Sequence, residues 1–183
     1  MKIIFLGPQG SGKSTQARHL AQVMNLPYIE MGQMLREKSQ GSDTEAGEIR
    51  QALEVGDLVP DLITIRILQE RLAKSDTQNG FILDGYPRNY AQLEGLPPGG
   101  IDKVFYFKVP DEQAIQRLIE RGRADDTLEV ISRRLELFHK ETEPLLTYFR
   151  QQGIIEELDG SQSIEVLQAD LVRRIKNENS KNQ

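Results

Sequence analysis

The 183-residue chain has no cysteine, no tryptophan and only two histidines. Without cysteine there is no disulfide framework, no thiol nucleophile and no thiolate metal site. His19 and His139 fall in helical patterns with no partner at metal-ligand spacing, so both are expected to be structural. Excess positive charge is missing as well. Against 23 lysines and arginines stand 28 interspersed aspartates and glutamates, a net charge of −5 that leaves no footprint for a phosphate backbone and excludes nucleic acid as a partner. No long apolar run occurs, and Ile3-Ile4-Phe5-Leu6 is too short for a signal-peptide core or a membrane span. With no repeat, no heptad pattern and no low-complexity tract, the expectation is one cytoplasmic, monomeric domain without a membrane partner.

Glycine, by contrast, is concentrated where it has chemical meaning. Gly7-Pro8-Gln9-Gly10-Ser11-Gly12-Lys13-Ser14 directly follows the apolar run and matches the phosphate-binding loop G-x-x-x-x-G-K-[ST]. Glycines let backbone N–H groups approach phosphate oxygens, and Lys13 carries a mobile positive charge to the outer phosphates. Ser14 or Thr15 can ligate Mg²⁺. A helix starting near Lys13 would add the positive end of its dipole. The candidate nucleotide-binding residues here are Gly10, Ser11, Gly12, Lys13, Ser14 and Thr15.

Short apolar runs alternate with longer amphipathic segments. Ile3 to Leu6, Tyr28 to Glu30, Phe81 to Leu83, Val104 to Val109 and Ile154 to Leu158 read as strands. This rhythm predicts an α/β fold, a five-stranded parallel sheet with helices on both faces. Gly32 to Lys74, broken at Gly41 and at Gly56 to Pro60, reads as an inserted helical flap, and 177–183 as a frayed polar tail.

The run Phe81-Ile82-Leu83-Asp84-Gly85-Tyr86-Pro87-Arg88 is an apolar strand ending in a carboxylate, a turn and an arginine. Carboxyl ends of parallel strands form the ligand crevice, so Asp84 is expected to face Lys13 and to hold Mg²⁺ through water. Motor-type ATPases present a glutamate after such an aspartate; here Gly85 follows, and no Asn-Lys-x-Asp guanine-reading motif is present. Transfer to a second bound acceptor is therefore expected rather than hydrolysis.

The phosphate loop followed by Thr15-Gln16, the stretch Asp84-Gly85-Tyr86-Pro87-Arg88, and Gln92 four residues on resemble adenylate kinases. The resemblance runs from Lys2 to about Ile175 and implies a P-loop NTPase three-layer fold that interconverts ATP and AMP with two ADP. It implies that Arg36 and Arg88 grip the AMP phosphate, that Gln92 reads the adenine edge, and that Met31, Leu58, Val59 and Gly85 complete the AMP site. Guanidinium forks on an otherwise acidic protein suit bidentate phosphate recognition.

Arg117, Arg121, Arg123, Arg133 and Arg134 cluster around Gly122 and Asp125-Asp126. By resemblance this is a lid over ATP, with Arg117 on the adenine and Arg121, Arg123 and Arg134 acting with Lys13 and Arg88 on the transferring group. Asp125 and Asp126 would orient the arginines, whereas Arg133 reads as a surface ion-pair residue. Only Gly122-Arg123 joins Arg121 to Ala124, so the lid is the short type without a zinc knuckle. The loop 159–163, with Gln162, would lie beside the ATP adenine; a turn with an N-cap at Ser161 or Ser163 accounts equally for its composition. The resulting division is a core of 1–29, 75–116 and 127–183, a monophosphate-binding flap of 30–74 and a lid of 117–126.

Four positions depart from the family pattern. Met31 replaces a common hydroxyl residue and Gln33 a common aspartate, while Thr64 and Asn89 resemble UMP/CMP kinases. The same reaction with UMP or CMP as acceptor thus remains an alternative, AMP resting on Gln92. A nucleotide-binding regulatory module without turnover is a third reading.

Overall fold

A computed structural model describes the backbone of residues 1–181 and the side chains through residue 177. Five strands, β1 (Lys2–Leu6), β2 (Tyr28–Glu30), β3 (Phe81–Asp84), β4 (Lys103–Lys108) and β5 (Ile155–Asp159), form one parallel sheet in the order β2-β3-β1-β4-β5. The expected α/β class and all five strands are observed, with ends shifted by a residue. Val109 stops β4 because Pro110 follows and removes the next amide donor. Ile154 lies just before β5, although its carbonyl still accepts from the Val104 amide at 2.8 Å.

Alternation along the central strand builds the two outer layers. Ile3 and Phe5 point to one face, packing with Ala17 and Leu20 of α1 (Lys13–Met24) and Leu167 and Leu171 of α8 (Ile164–Lys181). Phe5 stacks there against Phe107 with ring centroids 5.4 Å apart. Ile4 and Leu6 point to the other face, toward Tyr86, Phe138, Leu145 and Phe149. These four apolar residues of β1, Ile3 to Leu6, are essentially buried, each side chain contributing roughly 1.5–3 kcal/mol. Helix α8 is assigned as far as Lys181, into the segment 177–183 expected as a polar tail; Asn182 and Gln183 lie outside the described residues.

Three helices fill the insertion between β2 and β3: α2 (Met31–Lys38), α3 (Thr44–Val55) and α4 (Asp61–Leu72). The breaks fall where the glycines and proline predict. Asp43 caps α3 by accepting from the Ala46 amide at 2.7 Å, and Gly56 ends it at φ 80°. Met31, Leu35, Ile49, Val59, Ile67 and Leu68 join the same apolar cluster as Ile4 and Leu6, which ties the insertion to the sheet. Two further helices, α5 (Asp111–Arg121) and α6 (Leu128–Leu137), flank the short charged loop, and α7 (Leu145–Gln151) precedes β5. No helix among the described residues is long and apolar enough to cross a membrane.

Candidate active site

Above the carboxyl ends of the strands lies a cleft of about 760 Å³. Every candidate residue named from the sequence lines it except Asp126, which stands behind the arginines.

The loop between β1 and α1 forms its floor. At Gly10 a β-carbon would lie 2.4 Å from the Ala114 carbonyl oxygen, and Gly12 starts α1 at φ 83°, so both positions require glycine. Helix α1 has no acidic residue in its first turn, leaving its positive end open to an anion. Ser11 Oγ is buried without a partner among the described residues. Lys13 folds back over the loop and donates to the Pro8 carbonyl at 3.1 Å. Burial pushes its ammonium down from 10.5 to about 8, the nearby Arg88 and Arg121 adding to the shift and Asp84 opposing it. Ser14 and Thr15 stand in the first turn of α1 on the cleft wall.

Asp84 ends β3 and is almost completely buried. Its Oδ2 accepts from the Tyr28 hydroxyl at 2.9 Å, while Oδ1 has no partner among the described residues. Glu30 ends the neighbouring strand in register with Asp84 and takes Arg18 at 3.4 Å, Arg36 at 3.2 Å and the Tyr28 hydroxyl at 3.2 Å. Sequence reading passed over Glu30 and Tyr28. The strand-end logic that singled out Asp84 applies equally to Glu30, one strand over.

Arg36 and Arg88 face the cleft from opposite elements. Arg36 on α2 is held by Glu30 and by Gln33 Oε1 at 3.2 Å, so the glutamine at this departure position orients the arginine. Arg88 donates from Nε to the Gly85 carbonyl at 3.1 Å, and Thr142 Oγ1 donates to the Arg88 carbonyl at 2.7 Å. Burial lowers the Arg88 pKa, Asp84 opposing and Arg134 and Arg36 adding repulsion. A phosphate there would relieve that repulsion. Met31 is buried at the start of α2, and Leu58 and Val59 follow the turn after α3. Gln92, in the 3₁₀ turn Ala91–Gly95, is 1% exposed and lines the cleft rather than the outer surface.

The two remaining departures have local structural roles. Thr64 donates its hydroxyl proton to the Val59 and Pro60 carbonyls, at 3.3 and 3.2 Å. Asn89 accepts from the Gln92 amide at 3.0 Å and donates from Nδ2 to Asp61 at 2.9 Å.

Between the two halves stand the arginines of α5, α6 and the loop that joins them. Asp126 receives Arg121 bidentately at 2.7 and 2.9 Å, with Arg134 at 3.5 Å, and its own side chain is fully buried. Arg134 also pairs with Asp125 at 2.5 Å; that pairing outweighs the burial that pushes the Asp125 carboxyl up, so the net shift is down. Arg123 carries no ion pair among the described residues, and burial with Arg121 and Arg36 nearby lowers its pKa. Arg133 points away to Asp57 and Glu136, as its reading as a surface ion-pair residue expects. At the far end Arg117 donates to the Gly160 carbonyl at 2.8 Å, next to Gln162. Ser163, rather than Ser161, stands immediately before α8, accepting from the Val166 amide at 3.4 Å.

The described site therefore has two groups of cationic and N–H donors lining one space, one from the glycine loop and one from Arg36 and Arg88. Comparison with known proteins agrees. Residues 5–154 match the family model described as adenylate kinase. An adenylate kinase of Cyanothece sp. is 40% identical over 171 residues, 88% of each chain. Adenylate kinase 1 of Synechocystis sp. is 38% identical over 95% of this chain and 96% of its own. An adenylate kinase of Mycobacterium sp. is 42% identical over 83% of this chain and 87% of its own. With the fold, the cleft and these matches in agreement, the chain belongs to the adenylate kinase family.

Proposed function

We propose that this chain transfers the terminal phosphoryl group of ATP directly to AMP, giving two ADP. The observation that carries this reading is the single cleft in which the Lys13 loop, the Arg36–Arg88 pair and the arginines 121, 123 and 134 all converge. A binding module would need one phosphate grip; two, with positive charge between them, suit transfer.

ATP lies along the glycine loop with its adenine between Arg117 and the loop at Gln162, and AMP lies against Arg36, Arg88, Gly85, Leu58, Val59 and Gln92. The acceptor is an ionised phosphate oxygen, so no general base is required, and none is assigned. Lys13, Arg88, Arg121, Arg123 and Arg134 stabilise charge spreading over the transferring group, with Asp125 and Asp126 fixing the last-turn arginines of α5 and α6. The insertion 30–74 and the lid 117–126 close over the substrates and exclude water, which strengthens each of these charges; the rest of the chain is the core.

Mg²⁺ fits this site. The orphaned Asp84 Oδ1 is a buried acceptor on a residue that lines the cleft, and Ser14 and Thr15, whose hydroxyls can ligate Mg²⁺, line the same cleft. When bound with ATP the ion neutralises phosphate oxygens. The chain is read as a cytoplasmic monomer that acts on free nucleotides, not on nucleic acid or membrane.

The two residues that resemble UMP/CMP kinases do not favour a pyrimidine. Thr64 and Asn89 are both engaged with the protein's own groups. The test is ADP formation from MgATP alone and with AMP, UMP or CMP added singly. Rapid formation only with AMP supports the reading; preference for UMP or CMP replaces the acceptor, and formation without any acceptor replaces transfer by hydrolysis.

A further inference from the structure

Gln92 is tied down at four points. Its amide N–H donates to Asn89 Oδ1 at 3.0 Å, and its carbonyl accepts from the hydroxyl of the fully buried Tyr86. Its side-chain Oε1 accepts from the Arg88 backbone N–H at 2.8 Å, and Nε2 donates to Asp61 Oδ1 at 2.9 Å. The same Asp61 oxygen accepts from Asn89 Nδ2 at 2.9 Å. Asp61 opens α4 on the insertion, whereas Asn89 and Gln92 follow β3 on the core; Gln92 lines the cleft and Asp61 does not.

The chemistry of the two side-chain partners fixes which end of the amide is which. A backbone N–H only donates and a carboxylate oxygen only accepts, so the Gln92 oxygen must face Arg88 and the nitrogen must face Asp61. Inverting the amide would set an N–H against an N–H and an oxygen against a carboxylate. After these bonds one N–H and one lone pair of the amide remain. They form a donor beside an acceptor in a set order.

That order separates two purines of the same shape. Adenine offers the N1 acceptor beside the N6 amino donor, whereas hypoxanthine, the base of IMP, offers an N1–H donor beside the O6 acceptor. An amide held one way pairs with the first edge and opposes the second; an amide free to invert pairs with either. We infer that Asp61, behind the cleft, is a positioning residue for acceptor specificity: it locks the Gln92 amide in the polarity that accepts AMP and rejects IMP. This rests on the reading of Gln92 as the residue facing the acceptor base.

The test compares kcat/KM for AMP and for IMP, with MgATP as donor, in the wild type and in Asp61→Ala, Asp61→Asn and Gln92→Ala. Asp61→Ala should lower the AMP-to-IMP ratio about tenfold, the worth of one hydrogen bond to a charged group, with the KM for ATP within about twofold of wild type. Asp61→Asn, of the same shape but able to present either an acceptor or a donor, should lower the ratio by less, and it decides the matter if Asp61→Ala does not fold. A ratio that stays at the wild-type value in the Asp61 variants but collapses in Gln92→Ala overturns the role of Asp61 and leaves the Gln92 reading standing. Equal losses for AMP, IMP and ATP also overturn it, since a merely structural role would do that. A ratio unchanged in Gln92→Ala removes the reading of Gln92, and this inference with it.

Discussion

Tyr28 on β2 donates its hydroxyl proton to Asp84 Oδ2 at 2.9 Å across the sheet, leaving the other carboxylate oxygen buried and without a partner among the described residues. Burial, then the Asp84 charge, pushes the Tyr28 pKa up, so the phenol remains a donor throughout the working pH range. One carboxylate is thereby divided into a structural oxygen and an available one. Asp84→Asn is expected to cut turnover roughly 10–100-fold and to raise the Mg²⁺ concentration giving half-maximal rate, as loss of an outer-sphere metal partner does. Tyr28→Phe should shift the same Mg²⁺ titration only a few-fold. An unmoved Mg²⁺ midpoint in Asp84→Asn would remove Asp84 from the metal's surroundings.

Lys13, at about 8 in the free protein, gives a proton signature to nucleotide binding. A bound triphosphate favours the ammonium, so the Lys13 pKa rises in the complex and binding takes up a proton wherever pH lies between the free and bound values. Calorimetry of ATP binding in buffers of different ionisation enthalpy should show almost no uptake at pH 6.5 and close to one proton near pH 9, with affinity weakening as pH rises past 8. The uptake should vanish in Lys13→Met. Uptake that persists in that variant belongs to another group.

Arg88→Ala should raise the KM for AMP roughly 10–100-fold, the worth of a charge-assisted phosphate contact, while ATP affinity stays within about twofold. Separate titrations of the two nucleotides check this. Equal loss of ATP affinity would dissolve the two-site assignment.

His139 lies between Asp111 at 2.9 Å and Glu143 at 2.9 Å on the surface, and the Glu143 hydrogen bond leads the causes that raise its pKa above 6.5. A raised histidine contributes stability that is complete below the unfolded value of 6.5 and is lost as pH climbs through the higher folded value. Because the pair is half exposed, the worth is a few tenths to about 1 kcal/mol. The melting-temperature gap between wild type and His139→Gln should therefore be larger at pH 5.5 than at pH 8.5; a gap that grows with pH contradicts the ion-pair account.

The strands and the helical insertion between β2 and β3 were legible because hydrophobic period and glycine placement are local signals: Ile3 to Leu6 reads as a buried strand, and the glycine loop ending at Gly12 as the approach to a helix. The arginines were legible by residue type and clustering. What stayed hidden was partnership across the sheet and between core and insertion. Glu30 became visible only when β2 and β3 paired and set it beside Asp84. Asn89 and Thr64 read from the sequence as hints of a pyrimidine acceptor, yet each is committed to a neighbour that spacing alone does not bring near, or to a carbonyl exposed by the turn before α4.

The central claim is direct transfer between two nucleotides held in one cleft. ATP carrying a radiolabelled terminal phosphate, incubated with enzyme, Mg²⁺ and AMP and sampled within the first turnovers, tests it most directly. The label should appear in ADP, with inorganic phosphate at the level of an enzyme-free control. Label accumulating as inorganic phosphate, with AMP unchanged, would contradict it.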